Sequence, residues 1–326
     1  MLSTRVFCYD GRGNSMSEPP YLTYSRYLRE RHGCTVYRVA VDAGFSCPNR
    51  AGGRSSRGCT YCAEDGARAP YLGSRESLKN QVESAMSFLR ARYDAEAFIL
   101  FFQAFSNTNA EVGALRQIYD SGLELAPFRG LNVATRPDCI DEEKAALLAS
   151  YKERGLEVWV ELGLQSACES TLRRIERGHS REDFVRAYGL LKERGLKVAV
   201  HLIFGLPGEG FEPIMDTIDT VARLDPDGVK IHNLHIPAGT VLATELSKGE
   251  LTVPSPQRHL EYVIAAIERL PARTVIMRLT CDTPAERLIA PRDFWPKGTF
   301  TARVAAEMRA RGARQGRLFT AAVSLS

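Results

Sequence analysis

Fully apolar runs alternate with amphipathic segments along most of this chain, and few folds accept that pattern. The runs are TVYRVAV (35–41), FILFFQ (98–103), LNVATR (131–136), LEVWVELGL (156–164), LKVAVHLIFGL (196–206) and DGVKIHNLHI (227–236). Between them lie helical patterns at 75–92, 110–121, 141–154, 168–176, 181–194 and 211–223. Strands with almost no polar face belong in a parallel sheet covered by helices.

An internal echo supports repeated strand–helix units. Lys152-Glu153-Arg154-Gly155-Leu156 opens one strand and Lys192-Glu193-Arg194-Gly195-Leu196 the next, 40 residues later. Each is a helix ending on basic residues, a glycine stop and a strand. The expected fold is α/β, a partial β/α barrel of about six parallel strands with a C-terminal α/β extension. Strand order cannot be read from the sequence, so an open doubly wound sheet remains an alternative. The expected parts are an N-terminal extension (1–34), the barrel core (35–236) and a C-terminal extension (237–326). In the last part, helices at 256–269 and 300–313 and the strand TVIMRLT (274–280) would close one edge.

Eight cysteines occur among 326 residues. No apolar run is long enough to cross a bilayer and the first thirty residues hold no signal-peptide core, so a cytoplasmic location is expected. A disulfide scaffold is not. Cys8, Cys34, Cys139, Cys168 and Cys281 stand singly, as small buried residues often do. The other three crowd into the irregular loop 43–73, as Cys47-x11-Cys59-x2-Cys62. A two-residue gap lets neighbouring thiolates converge on one metal centre. Pro48 and glycines 52, 53 and 58 suit a loop whose backbone must approach sulfide closely. Three thiolates can hold three irons of a cubane and leave the fourth open. A zinc knuckle is the competing reading. It needs a fourth ligand, and the nearest are His32 and Cys34.

The segments GFSCPNR, GCTYC, FFQAFSNT, ATRPDCI, VWVELGLQSA, RIERGH, HLIFGLPGEG and GVKIHNLHI follow in order over about residues 25–295. Together they resemble the radical S-adenosylmethionine (SAM) superfamily, in its YhcC-like branch, where the eleven-residue gap is characteristic. The core is also similar to the elongator catalytic subunit, whose acetyltransferase domain has no counterpart here. The resemblance implies a 4Fe-4S cluster on Cys47, Cys59 and Cys62, with SAM on the open iron and cleaved to a 5′-deoxyadenosyl radical. It implies an electron donor such as flavodoxin or ferredoxin.

Active sites of such barrels lie at the C-terminal strand ends. Gln103 stands where much of the superfamily has an acid for the methionine amine, and its amide oxygen can accept the same bond. Glu161 and Gln165 are implied to border the ribose and methionine parts of SAM, and Arg177 to face its carboxylate. Gly205 and Gly208 of GLPGEG would line the adenine by backbone, since the run lacks the spacing of a phosphate loop. Arg136 is either a ligand for an anion or braced by Asp138. His201, Lys230, His232 and His235 are substrate contacts or satisfied core residues. Cys139 and Cys281 are candidates for hydrogen-atom donors by position alone.

The resemblance suggests transfer RNA as substrate, at the wobble uridine side chain. The basic residues comprise 35 Arg and 8 Lys. Arg303, Arg309, Arg311, Arg314 and Arg317 would form a basic C-terminal face for phosphates, or simply a solvated one. The same chemistry on a small molecule or peptide, and a zinc-stabilised RNA-binding protein, are the alternatives.

Overall fold

In a computed structural model, residues 8–9, 15–16, 18–50, 52, 57–63 and 76–320 are described. The N-terminal extension expected over 1–34 and the cysteine loop expected over 43–73 lie partly outside these residues, and Gly53 lies wholly outside them.

Seven strands form one sheet: β1 (Val36–Val41), β2 (Ala97–Phe102), β3 (Gly130–Thr135), β4 (Glu157–Gln165), β5 (Lys197–Phe204), β6 (Gly228–Asn233) and β7 (Val275–Arg278). Every neighbouring pair is parallel, and spatial order follows chain order from β1 to β7. A doubly wound sheet reverses its strand order partway. This sheet does not, and it curls into a half-barrel. The expected six strands become seven because the run at 274–280 pairs with β6.

Alternate residues of each strand face the helices or the lumen. Val39, Leu100, Phe102, Val133, Val160, Leu162, Val200, Phe204 and Ile231 belong to the helix-side core. They pack with residues of α2 (Leu78–Tyr93), α3 (Val112–Leu123), α4 (Glu142–Glu153), α6 (Arg181–Glu193) and α7 (Phe211–Arg223). A smaller cluster joins Leu172 of α5 (Glu169–Arg174) and Leu242 of α8 (Val241–Ser247) to Ile203 and Leu206. The 40-residue echo is visible in the stops of α4 and α6, where Gly155 and Gly195 take φ of 86° and 65°. An L side chain is strained there and glycine is not.

The lumen floor is plugged by α1 (Tyr24–His32), which the sequence pattern does not announce. Trp159 meets the rings of Tyr24 and Tyr27 edge-on. Glu157 accepts from Trp159 Nε1 at 2.6 Å and from the Tyr27 hydroxyl at 2.7 Å. Above the floor the lumen is lined by small Ala40 and Ala134 beside Phe101. At the far edge, α9 (Pro256–Arg269) lies as expected, whereas α10 (Lys297–Ala310) begins just after Pro296, three residues before the expected start. Among the described residues, no helix is long and apolar enough to cross a membrane.

Candidate radical-chemistry site

The loop after β1 brings its cysteines to the C-terminal strand ends. Cys59 is buried, Cys47 and Cys62 are half-buried, and all three are free thiols. The turn is held by backbone bonds from Cys62 N–H to Cys59 O and from Arg50 N–H to Cys47 O, each 2.9 Å. Among the described residues, no three His, Cys, Asp or Glu side chains are grouped as one metal ion requires. Thiolates of a cubane each take a separate iron, so the three cysteines need not converge so tightly.

Donors surround these sulfurs. Asn49 Nδ2 donates to Cys59 Sγ at 3.3 Å and to Glu176 O at 2.7 Å. Arg50 crosses the loop to Cys62 Sγ at 3.2 Å and Ala63 O at 2.6 Å. Gly58 gives it room, since a Cβ there would lie 3.0 Å from Arg50 Nε. Arg177 is buried and reaches Gly163 O at 2.9 Å and Cys59 Sγ at 3.8 Å. Burial pushes the Cys59 thiol up, but Arg177, Arg136 and the hydrogen bonds outweigh it and leave the group below the usual thiol range. Cys62 stays raised, because burial there exceeds what Arg50 returns.

Two buried guanidinium N–H groups find no partner among the described residues: Arg177 Nε and Arg136 Nη1. The rest of the Arg136 fork is braced by both oxygens of Asp138, at 2.8 Å each. Cationic N–H groups left unpaired beside three thiols fit a negatively charged occupant. A cluster bound by thiolates, with a carboxylate ligand beside it, is such an occupant.

The other sequence candidates lie at or below the same strand ends. Gln103 is half-buried just beyond β2. Gln165 ends β4 at φ 74°, where the β4–β5 register shifts between Gly163 and Gln165. Such a bulge re-aims a side chain at a strand end. Gly205 (φ 87°) lies against Pro254 and Gly208 (φ 85°) faces open space. Both line a cleft of about 1080 Å³ that also touches Glu209, Arg174 and Arg258.

Glu161 has a different setting from the ribose contact that the resemblance implies. It is fully buried in the lumen, and both its oxygens are engaged by basic side chains. Lys230 Nζ lies 2.5 Å and His201 Nε2 2.7 Å from Oε2, while Arg38 grips Oε1. Burial pushes the carboxyl up, but Lys230, Arg38 and the His201 hydrogen bond outweigh it and hold the group well below the usual carboxylate range. His201 is thereby placed beside the acid. His232 lies next to it with Nε2 buried and unpartnered among the described residues, and His235 Nδ1 pairs with Thr283 Oγ1 at 2.7 Å. Burial raises the Cys139 and Cys281 thiols to about 12.

The expected basic C-terminal face is partly neutralised. Arg311 is clasped by Glu261 and Glu307, Arg317 pairs with Glu268, and Arg303 stacks 4.0 Å over Trp295.

Sequence reasoning passes over Asn49, Arg50, Arg38 and Arg278. The first two directly follow Pro48 in the CPNR run, at the foot of the cysteine loop. The last two are lone charges in apolar strands, the same signal that singles out Glu161.

A family model described as the radical SAM superfamily matches residues 51–221, and one described as the radical SAM C-terminal domain matches 226–310. The chain is 36% identical to protein YtqA of Bacillus subtilis over 306 residues, 94% of each chain. It is 35% identical to protein YhcC of Escherichia coli, over 85% of this chain and 88% of that one. A tRNA uridine(34) acetyltransferase of Methanocaldococcus infernus is 34% identical over 49% of this chain and 30% of its own length. The solved structure of Methanocaldococcus infernus Elp3 with an N-terminal deletion superposes with a TM-score of 0.67 at 23% identity. The match covers 86% of this chain but 64% of that one, and it concerns the fold.

Proposed function

Because the chain belongs to the radical SAM superfamily, in its YhcC-like branch, we propose that Cys47, Cys59 and Cys62 hold a 4Fe-4S cluster and that the protein cleaves SAM reductively. When bound, such a cluster supplies the electron that splits SAM into methionine and a 5′-deoxyadenosyl radical. The carrying observation is the pair of unpartnered buried donors, Arg177 Nε and Arg136 Nη1, beside three free thiols.

The chain's own groups have distinct tasks in this reading. Asn49 and Arg50 donate to the sulfurs of Cys59 and Cys62, which moderates their charge and favours reduction. Arg177 offers its free Nε–H to the SAM carboxylate while Gly163 O fixes the guanidinium. Gln103 accepts from the methionine amine and Gln165 positions the methionine end. Gly205 and Gly208 present backbone to adenine. A flavodoxin or ferredoxin supplies the electron.

The proposed substrate is transfer RNA, at a wobble uridine side chain. Its support is the similarity, over about half of this chain, to proteins named tRNA uridine(34) acetyltransferase. A base flipped out of its stack would enter the mouth of the lumen.

Anaerobic purification tests the chemistry. The expected result is a brown, iron-containing protein that releases 5′-deoxyadenosine from SAM under reductant, and a Cys59→Ala variant that does neither. A colourless protein holding zinc and no iron would sink this reading. The substrate is tested by nucleoside profiles of transfer RNA from a deletion strain, where an unchanged wobble-uridine profile counts against it.

A further inference from the structure

The lumen below the strand ends holds more positive charge than its structure uses. Arg38 on β1 and Lys230 on β6 both grip Glu161 on β4 across the half-barrel, and both lie over the Phe101 ring, at 4.8 and 5.2 Å. Arg278 on β7 is paired in register with Lys230 and shares its face of the sheet. Its side chain has no hydrogen bond or ion pair among the described residues, and it is only half-buried. On the strands at this level Glu161 is thus one carboxylate against three basic side chains, with Asp282 above them at the mouth.

One further donor lies on the same face: His232, two residues along β6 from Lys230, has a buried Nε2 with no partner among the described residues. At the mouth, Asp282 attracts both Arg278 and Lys297, the first residue of α10, while those two cations repel each other.

Burying like charges together without a counter-ion costs several kcal/mol by ordinary solvation reasoning. Lys230 records the strain: burial, then Arg278 and Arg38 acting against Glu161, bring it down to about 7. This arrangement lies below the C-terminal strand ends, from which an occupant can supply further negative charge.

We propose that the lumen binds the substrate by an anionic group, a carboxylate or a phosphate, seated on Arg278 and Lys230. The inference rests on the SAM-cleaving reading for the word substrate, but the anion site itself does not need that chemistry. Because Lys230 is buried on the strand itself, the anion belongs to the portion of the substrate that enters the barrel. A duplex backbone outside the mouth does not reach it.

The test uses the full chain, purified anaerobically, with lysine side chains followed by 13C NMR. The Lys230 signal is identified by its absence in Lys230→Met. Inorganic phosphate and acetate serve as probes. An anion seated beside Lys230 should raise its titration midpoint by about one to three pH units. In Arg278→Gln the anion should bind roughly tenfold or more weakly, and Arg278→Lys should recover part of that loss. Arg278 has no hydrogen-bonded partner to lose, so the variant keeps its fold. A response to phosphate alone would mark a nucleotide-type group, and to acetate alone a carboxylic acid; either supports the site. No response to either, or an equal response in Arg278→Gln, would overturn it. SAM cleavage is measured on the same preparations. Intact cleavage without an anion response refutes the inference and spares the reading, whereas an anion response in a protein without iron does the reverse.

Discussion

Glu161→Gln is the sharpest perturbation of the lumen, because it removes the carboxylate that the lumen cations grip while preserving volume. The wild-type side chain is fully buried and bonded to Lys230, His201 and Arg38. Breaking a buried ion pair by removing one partner costs about 3–5 kcal/mol, since the remaining charge stays buried. With an unfolding entropy of about 2.1 cal/mol/K per residue, 326 residues give about 0.7 kcal/mol/K, and that range corresponds to about 4–7 °C in Tm. Here two cations lose their counter-charge and the new amide N–H₂ faces donors, so the upper end is expected. The pH dependence adds a signature. Glu161 is depressed in the fold, so its contribution is present above the unfolded carboxylate value and is lost as pH falls through the folded one. Lys230 is a base depressed to about 7, so the unfolded chain binds more protons above that point and stability rises with pH there. Without Glu161 the depression deepens, so the rise begins at lower pH and the deficit of the variant shrinks as pH climbs towards 7. Urea titrations at several pH values read both effects. A loss below about 1 kcal/mol, the size of an exposed pair, would refute the account of a buried Glu161 held by Lys230, His201 and Arg38.

Three other outcomes follow from single residues. Gly205→Ala should destabilise strongly, because φ is 87° and the new Cβ would sit 2.4 Å from Pro254 Cγ, whereas Gly208→Ala, with open space, should cost only the backbone strain of about 1–2 kcal/mol; equal urea midpoints would contradict the contact. His259 is buried, donates from Nε2 to Leu279 O at 2.9 Å and is lowered to about 4 by burial. The unfolded chain therefore takes up its proton first, and stability should fall as pH drops from about 6.5 towards 4, with His259→Gln flattening that slope; an unchanged slope would speak against a neutral buried imidazole. Arg311→Ala should cost less than about 1 kcal/mol despite its contacts to Glu261 and Glu307, since all three are solvent-exposed, and a larger thermal shift would show the cluster to be structural.

Much of the architecture is legible because it rests on local chemistry. Apolar strands, basic helix ends and the glycines at 155 and 195 each carry a local physical signal, and the structure places them as expected. α1 escapes notice because YSRYLRERH buries only Tyr24 and Leu28, too few to register as an apolar face. The seventh strand is visible as an apolar run, but its pairing with β6 depends on contacts between distant segments, which no local pattern encodes. Cysteine spacing exposes the cluster loop, while the donors that make it a site come from elsewhere in the chain: Arg177 from beyond α5 and Arg136 from the end of β3.

The lumen charges show where a better rule lies. One charge in an apolar strand is ambiguous, and Glu161 alone could face either a ligand or a buried partner. Arg38, Lys230 and Arg278 repeat the signal in β1, β6 and β7. In a parallel barrel, lone charges in several strands share the lumen, because the opposite face must pack against apolar helices. Their sum then matters more than any one of them. Glu157 and Lys197 sit at the lumen floor with Trp159 and Tyr27, so above them three bases face one acid, which makes Glu161 a counter-ion and leaves a place for a second anion. By that logic Glu161 stabilises the barrel as a counter-ion, and Arg278 is the one left for a ligand.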